Sequence, residues 1–426
     1  MRSLTAVTGP DGIGICEDSD HESPVTPTQV ANKAAKVNLH EIQSELRAEK
    51  LDGWLFYDHH RRDPIAARIL GLGGGMNTRR WFYLIPARGE PRKLVHRIES
   101  AVLDHLPGKK VVYSSREELE VGLKKTVGAA KTLAMQYSPR NEIFYVSLVD
   151  AGTVELVRGL KCRVVTSADL VQKFEASWTP AQLESHRAAG RLVDEITQSA
   201  FRRAADHVRE RRPLSEFDLI EWMRGQFRAK GLETEDGPHA AVGPSSGDPH
   251  YEPSAATSRP IRAGDLLLLD VWAKLTRPDS VYYDITWMGF LGPVVPERYA
   301  KIFSVAREAR DAAVAFVQKN VRAGRTIAGF EVDRVARGII RKAGYAKNFV
   351  HRTGHNIGRD IHGAGANMDD LEIHDVRRIL PHTCFSIEPG IYFPEFGVRT
   401  EVNVYVDEHD AGTTGPVQQE ILALLP

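Results

Sequence analysis

Cysteine is scarce: there are three in 426 residues (Cys16, Cys162 and Cys384), odd in number and far apart. That excludes a disulfide framework and a CxxC-type metal site, and it favours a reducing cytoplasm. No stretch nears the ~20 apolar residues of a membrane span, and the first residues lack the apolar core of a secretory leader. Net charge is absent as well, because 56 Lys and Arg balance 56 Asp and Glu. No global field draws the chain to nucleic acid or an anionic membrane, and clusters such as Arg202-Arg203 read as solvated helix faces.

What remains is long enough for two domains with cores of their own. Residues 1–36 are rich in Gly, Pro, Ser, Thr and Asp without apolar periodicity, and read as a loose tail. From 37 to 172, strand-like runs (LDGWLFYD, RRWFYLIP, RKLVHRI, KKVVYS, TLAMQYS) alternate with helix-like ones (REELEVGLKKTV, SLVDAGTVELVRGL), which predicts a smaller α/β domain. The run Gly71 to Gly75 leads into a strand rather than a helix, so it is a loop and not a phosphate cradle. A second domain, 173–426, opens on Thr179-Pro180-Ala181-Gln182, which has the N-cap, first-turn proline and third-position Gln of a capped helix. Leu192, Ile196, Ala200, Ala204 and Val208 then recur every four residues, and a second helix over about 297–318 repeats the style. Helices alternating with long hairpins give an α+β domain with helices on one side of a curved antiparallel sheet.

Chemistry concentrates in the last third. LLLLDVW ends an apolar strand in Asp270, and VYYDITW carries Asp284 on the next strand, with Arg277-Pro278-Asp279 as the turn between. A hairpin centred on Arg277 would set the two acids directly opposite, roughly 5 Å apart at Cβ. CFSIEPGIYF and VRTEVNVYV repeat the construction around Pro394 to Gly397 and set Glu388 opposite Glu401. His355 sits in HRTGHNIG, where Gly354 and Gly358 favour a loop over a helix. A lone strand acid usually faces water, but acids paired across a ladder repel without a counterion. Four carboxylates and an imidazole form a hard ligand set suited to Mn²⁺, Co²⁺ or Zn²⁺, and two divalent ions would neutralise it.

These segments, in this order, make residues 175–426 resemble the pita-bread metallopeptidases, in the branch of aminopeptidase P and prolidase. The resemblance implies a C-terminal pita-bread domain behind a smaller N-terminal α/β domain, and a cytoplasmic homodimer. It implies two divalent ions, manganese first, with Asp270 on one, Asp284 and Glu401 bridging, and His355 and Glu388 completing the second. It assigns Glu388 as the proton carrier and His362 as a stabiliser of the tetrahedral intermediate. His250, His351 and Arg399 would shape the prolyl side of the pocket. The implied activity is hydrolysis of Xaa-Pro bonds in a proline-containing peptide, by an aminopeptidase or a dipeptidase. Two alternatives are a metal-free binding module on the same fold and a hydrolase of a non-peptide C–N bond, as in creatinase; metal content separates the first reading from both. The chain departs from the family pattern at Trp272, at Trp287 and at Arg352, where a glycine is usual, and the segment between Asp270 and Asp284 is longer than is typical.

Overall fold

The computed structural model describes residues 37–426; the expected loose tail over 1–36 lies outside them. The N-terminal strands form one six-stranded mixed sheet in the order Lys109–Tyr113, Arg92–His96, Trp81–Pro86, Gly53–Asp58, Thr132–Met135, Arg163–Thr166. Both its faces are apolar, as the uninterrupted burial of Gly53–Asp58 and Trp81–Pro86 requires. Helices cover it, among them Arg116–Val127, whose Ser115 and Glu118 close a capping box. One of its core clusters, with Trp54, Phe56 and Leu170, takes in Ala364 and Ile373 from far downstream.

The long helix Pro180–Arg209 starts where its sequence says it should: Thr179 and Gln182 close the capping box around Pro180. Its Val193, Ile196, Ala200 and Ala204 pack on Leu267, Leu269, Val271 and Ile285, one face of a hairpin made by Leu266–Leu275 and Tyr283–Phe290. The other face, Leu266, Leu268 and Met288, joins Phe385, Ile387, Val402 and Val404 of a second hairpin, which the helix Glu297–Arg322 covers with Ile302, Ala306, Ala309, Ala313 and Val317. Burying each such leucine or isoleucine contributes about 1.5–3 kcal/mol before entropy is counted. The apolar LLLL run is therefore explained by a strand covered on both faces. The hairpins are tied together by the Glu401 N–H donating to the Thr286 carbonyl at 3.2 Å. Arg310, fully buried on the helix Glu297–Arg322, donates to Thr400 Oγ1 at 2.6 Å and to the Gln418 carbonyl at 2.8 Å, fixing the strand end beside Glu401. Among the described residues no helix is long and apolar enough to cross a membrane.

His186 couples that first helix to the loop that follows it in space. One ring nitrogen meets the Tyr282 carbonyl at 2.6 Å and the other meets Thr414 Oγ1 at 2.7 Å. Burial lowers its pKa from 6.5 to about 4. The unfolded imidazole therefore binds a proton below 6.5 while the folded one resists until about 4. Stability is thus complete above pH 6.5 and falls as pH drops towards 4, by about 3 kcal/mol in all. Denaturant unfolding at pH 7 and pH 5 should show this loss, and His186→Gln should flatten it.

Candidate active site

The first hairpin does not fold in the expected register. Asp270 lies opposite Thr286 and Asp284 lies opposite Trp272, so the hairpin is centred on Pro278 and the acids are diagonal rather than opposed. The connection explains this. Asp279 takes a left-handed φ of 63°, and the N–H groups of Val281 and Tyr282 are drawn outward to Ser185 Oγ and the Gly358 carbonyl. A wide loop results instead of a tight turn. The shift is two residues in partner, so both side chains keep the same face.

The second hairpin does keep its expected register. Ile387↔Val402 and Gly390↔Arg399 bracket Glu388 and Glu401, which fall opposite each other, and Phe393↔Phe396 leaves Pro394-Glu395 as a two-residue turn. The ladder itself breaks at Pro389, which has no N–H to donate. His355 arrives on a loop whose Gly354 admits no side chain, because a Cβ there would collide with the Ser386 carbonyl. Ser386 Oγ accepts from the His355 N–H at 3.0 Å and donates to Glu388 Oε1 at 3.1 Å.

All nine residues singled out from the sequence line one cavity of about 460 Å³: Asp270, Asp284, His355, Glu388, Glu401, His250, His351, His362 and Arg399. At its floor Asp284, His355 and Glu401 each offer a ligand atom within 4.8 Å of the others. His355 Nε2 is 3.5 Å from Asp284 Oδ2 and 3.4 Å from Glu388 Oε1. Asp270 stands apart from the trio, its carboxylate ion-paired to Arg399. The His362 ring meets that of His355 edge-on at 4.4 Å, while His250 sits exposed at the mouth.

The electrostatics are lopsided. Burial first, then neighbouring acids, raise the carboxyls of Asp284 and Glu401 well above the carboxylate range. Glu388 is also raised by burial, against the opposing pull of His355. Asp284 Oδ1 and Glu401 Oε1 are buried and have no hydrogen-bond partner. Buried acceptors left unpaired cost about 1–3 kcal/mol each. Two orphaned carboxylate oxygens beside an imidazole are a donor set that a divalent cation fits. Imidazoles nearby are held neutral: burial brings His351 to about 3, and the His355 charge followed by burial brings His362 to about 2.

Several supporting residues escaped sequence reasoning. Asn403 clasps Asp284 from both sides, accepting from its N–H at 3.1 Å and donating to its carbonyl at 2.7 Å. Thr286 Oγ1 donates to Glu401 Oε2 at 2.9 Å. Tyr392 OH links His351 Nε2 at 2.8 Å to Arg399 at 3.1 Å. Thr286 and Tyr392 each lie at even spacing from an acid already identified, so period-two alternation could have found them. His239, opposite Asp270 on its neighbouring strand and edge-on to Trp272, lines the same cavity. Of the three departures, Trp272 and Arg352 line the cavity, whereas Trp287 packs on the opposite face against the long helix's cluster.

Residues 184–408 match metallopeptidase family M24. An Xaa-Pro dipeptidase of Lactobacillus helveticus is 29% identical over 237 residues, 55% of this chain and 58% of that protein. The match thus spans less than two thirds of that relative's length. The crystal structure of dipeptidase PepE from Mycobacterium ulcerans superposes with a TM-score of 0.69 at 22% identity, covering 91% of this chain and 97% of that one. An X-prolyl aminopeptidase from Caenorhabditis elegans, described as a cytosolic enzyme with a di-nuclear active site, superposes with a TM-score of 0.63 at 16% identity, covering 89% and 62%. At such identities these two structures establish a shared fold.

Proposed function

Because the chain belongs to metallopeptidase family M24, we propose that it hydrolyses peptide bonds preceding proline, with two divalent ions held by Asp270, Asp284, His355, Glu388 and Glu401. The fold is the α+β pita-bread fold behind a smaller N-terminal domain. We place the division between the domains at 172/173. The observation that carries the reading is the pair of orphaned oxygens, Asp284 Oδ1 and Glu401 Oε1, on the cavity floor next to His355. The substrate class comes from relatives named as Xaa-Pro dipeptidases. A cytoplasmic homodimer using manganese belongs to the same proposal.

Divalent ions in this site would supply Lewis acidity and bring a water's pKa from 15.7 towards about 7. The chain's own groups do the rest. Glu388, a largely buried carboxylate 3.4 Å from His355, takes the water's proton and delivers it to the departing prolyl nitrogen. That nitrogen leaves poorly until protonated, so the delivery matters. His362 stays neutral and offers a ring N–H to the developing oxyanion. His250 and His351 border the prolyl side. A panel of Xaa-Pro and Xaa-Pro-Yaa-Zaa peptides, assayed with Mn²⁺, Co²⁺ or Zn²⁺, tests the reading; no cleavage of any member with any metal would overturn it.

Arg399 is a positioning residue in this scheme. Its guanidinium is buried and spent on Asp270, on Thr286 Oγ1 at 3.0 Å and on Tyr392 OH at 3.1 Å. Groups that orient ligands are worth about 10–100-fold in activity or metal affinity. Arg399→Ala should therefore lower kcat for every peptide by that order and weaken metal retention. A selective rise in KM for dipeptides, at unchanged metal content, would show that it binds substrate instead.

A further inference from the structure

The cavity is lined by two guanidinium groups, and only one is committed. Arg399 has all three nitrogens engaged by protein partners. Arg352 is half-buried, and among the described residues it forms one side-chain hydrogen bond, from Nη1 to the hydroxyl of Tyr145, over whose ring its Cζ sits 5.6 Å from the centroid. Its Nε and Nη2 have no protein partner, and it has no carboxylate in an ion pair among the described residues. A guanidinium partly withdrawn from water with no carboxylate in direct contact is an unusual arrangement, since such groups are normally paired when buried.

The surroundings say what would complete it. The remaining charged groups at the mouth, Asp236, Glu252 and Glu372, are acids, exposed on the same lining. They attract a substrate's ammonium and repel its carboxylate. Arg352 is therefore the one place in the lining where an incoming carboxylate gains an uncommitted fork of N–H donors. Tyr145 fixes that fork from the short turn Phe144–Val146 in the N-terminal domain, 207 residues away in sequence. Little rotamer freedom is then lost on binding. The side chain follows His351, which borders Tyr392, precedes His355 by three positions, and lines the same cavity as the acids on its floor.

We propose that Arg352, held by Tyr145, binds the free C-terminal carboxylate of the substrate and so restricts this enzyme to Xaa-Pro dipeptides. The inference rests on the Xaa-Pro peptidase reading and narrows it from the aminopeptidase alternative. A charge-assisted bidentate contact of this kind is worth roughly ten- to a hundredfold in affinity.

The experiment compares Ala-Pro, Ala-Pro-amide and Ala-Pro-Gly on the metal-supplemented full chain and on Arg352→Ala, Arg352→Lys and Tyr145→Phe. The wild type should favour Ala-Pro over the amide by that ten- to a hundredfold, mainly in KM. Arg352→Ala should collapse the ratio, with Arg352→Lys and Tyr145→Phe intermediate. Ala-Pro-Gly separates a carboxylate at the dipeptide position from one further along: equal preference for the tripeptide would overturn the restriction. A ratio that survives in both Arg352 variants would also overturn it, even with all peptides cleaved. If no peptide is cleaved, the peptidase reading fails by itself. Calorimetric binding of N-acetylproline against its amide then still decides the role of Arg352, because an Arg352-dependent preference supports it and none sinks it.

Discussion

Glu401→Gln should cut turnover by about a thousandfold or more while leaving the protein folded. Losing a group that only orients a ligand costs about 10–100-fold, and losing a shared ligand should exceed that. The substitution is isosteric, and the backbone link from its N–H to the Thr286 carbonyl does not involve the side chain. Thr286 can still donate to the amide oxygen that replaces Oε2. The metal-free variant should melt no lower than the metal-free parent, because a neutral amide removes the penalty that burial among Asp284, Glu388 and Asp270 places on the charge. Activity and metal stoichiometry should fall together while stability holds. Were Glu401 an ordinary strand residue, the change would stay within about 0.5 kcal/mol and leave turnover alone. A Glu401→Gln variant with full metal content and parental turnover would remove the residue from the site.

How much of this could be read beforehand depended on how locally each feature is determined. The placement of Glu388 against Glu401 was legible because a two-residue turn at Pro394-Glu395 leaves the register no freedom. The Asp270 and Asp284 register was not, since its loop is set by Ser185 and Gly358, which are distant in sequence. Both acids nonetheless came out on one face, because strand alternation survives a two-residue shift. Helix starts were legible from Thr179, Pro180 and Gln182, whose effects are confined to one turn. Tyr145 carried no signal at all: an aromatic in a loop of the first domain meets Arg352 only through the packing that joins Ala364 and Ile373 to the N-terminal core. The departure at Arg352 was visible as a residue out of pattern, but its lack of a directly paired carboxylate among the described residues is a property of the folded cavity.

Chelation should abolish activity and lower the melting temperature in the same titration. Asp284, Glu388 and Glu401 are buried with raised proton affinity, and among the described residues Arg399 is the one permanent cation in direct contact with the cluster's acids. Cations bound only by the native state stabilise it by about 2.7 kcal/mol at a hundred times Kd. For a chain of this size that corresponds to about 3 °C. The same acids predict the proton balance. Without metal, their raised pKa favours retention of protons on the site, so loading should expel whatever protons remain bound. Calorimetry of Mn²⁺ binding in two buffers of different ionisation enthalpy should give apparent heats that differ by the protons released, and the difference should shrink as pH rises and the acids ionise unaided. A chain confirmed metal-free that melts like the loaded one, or binds Mn²⁺ with no proton release at any pH at which it stays folded, would mean that these carboxylates do not hold the metal.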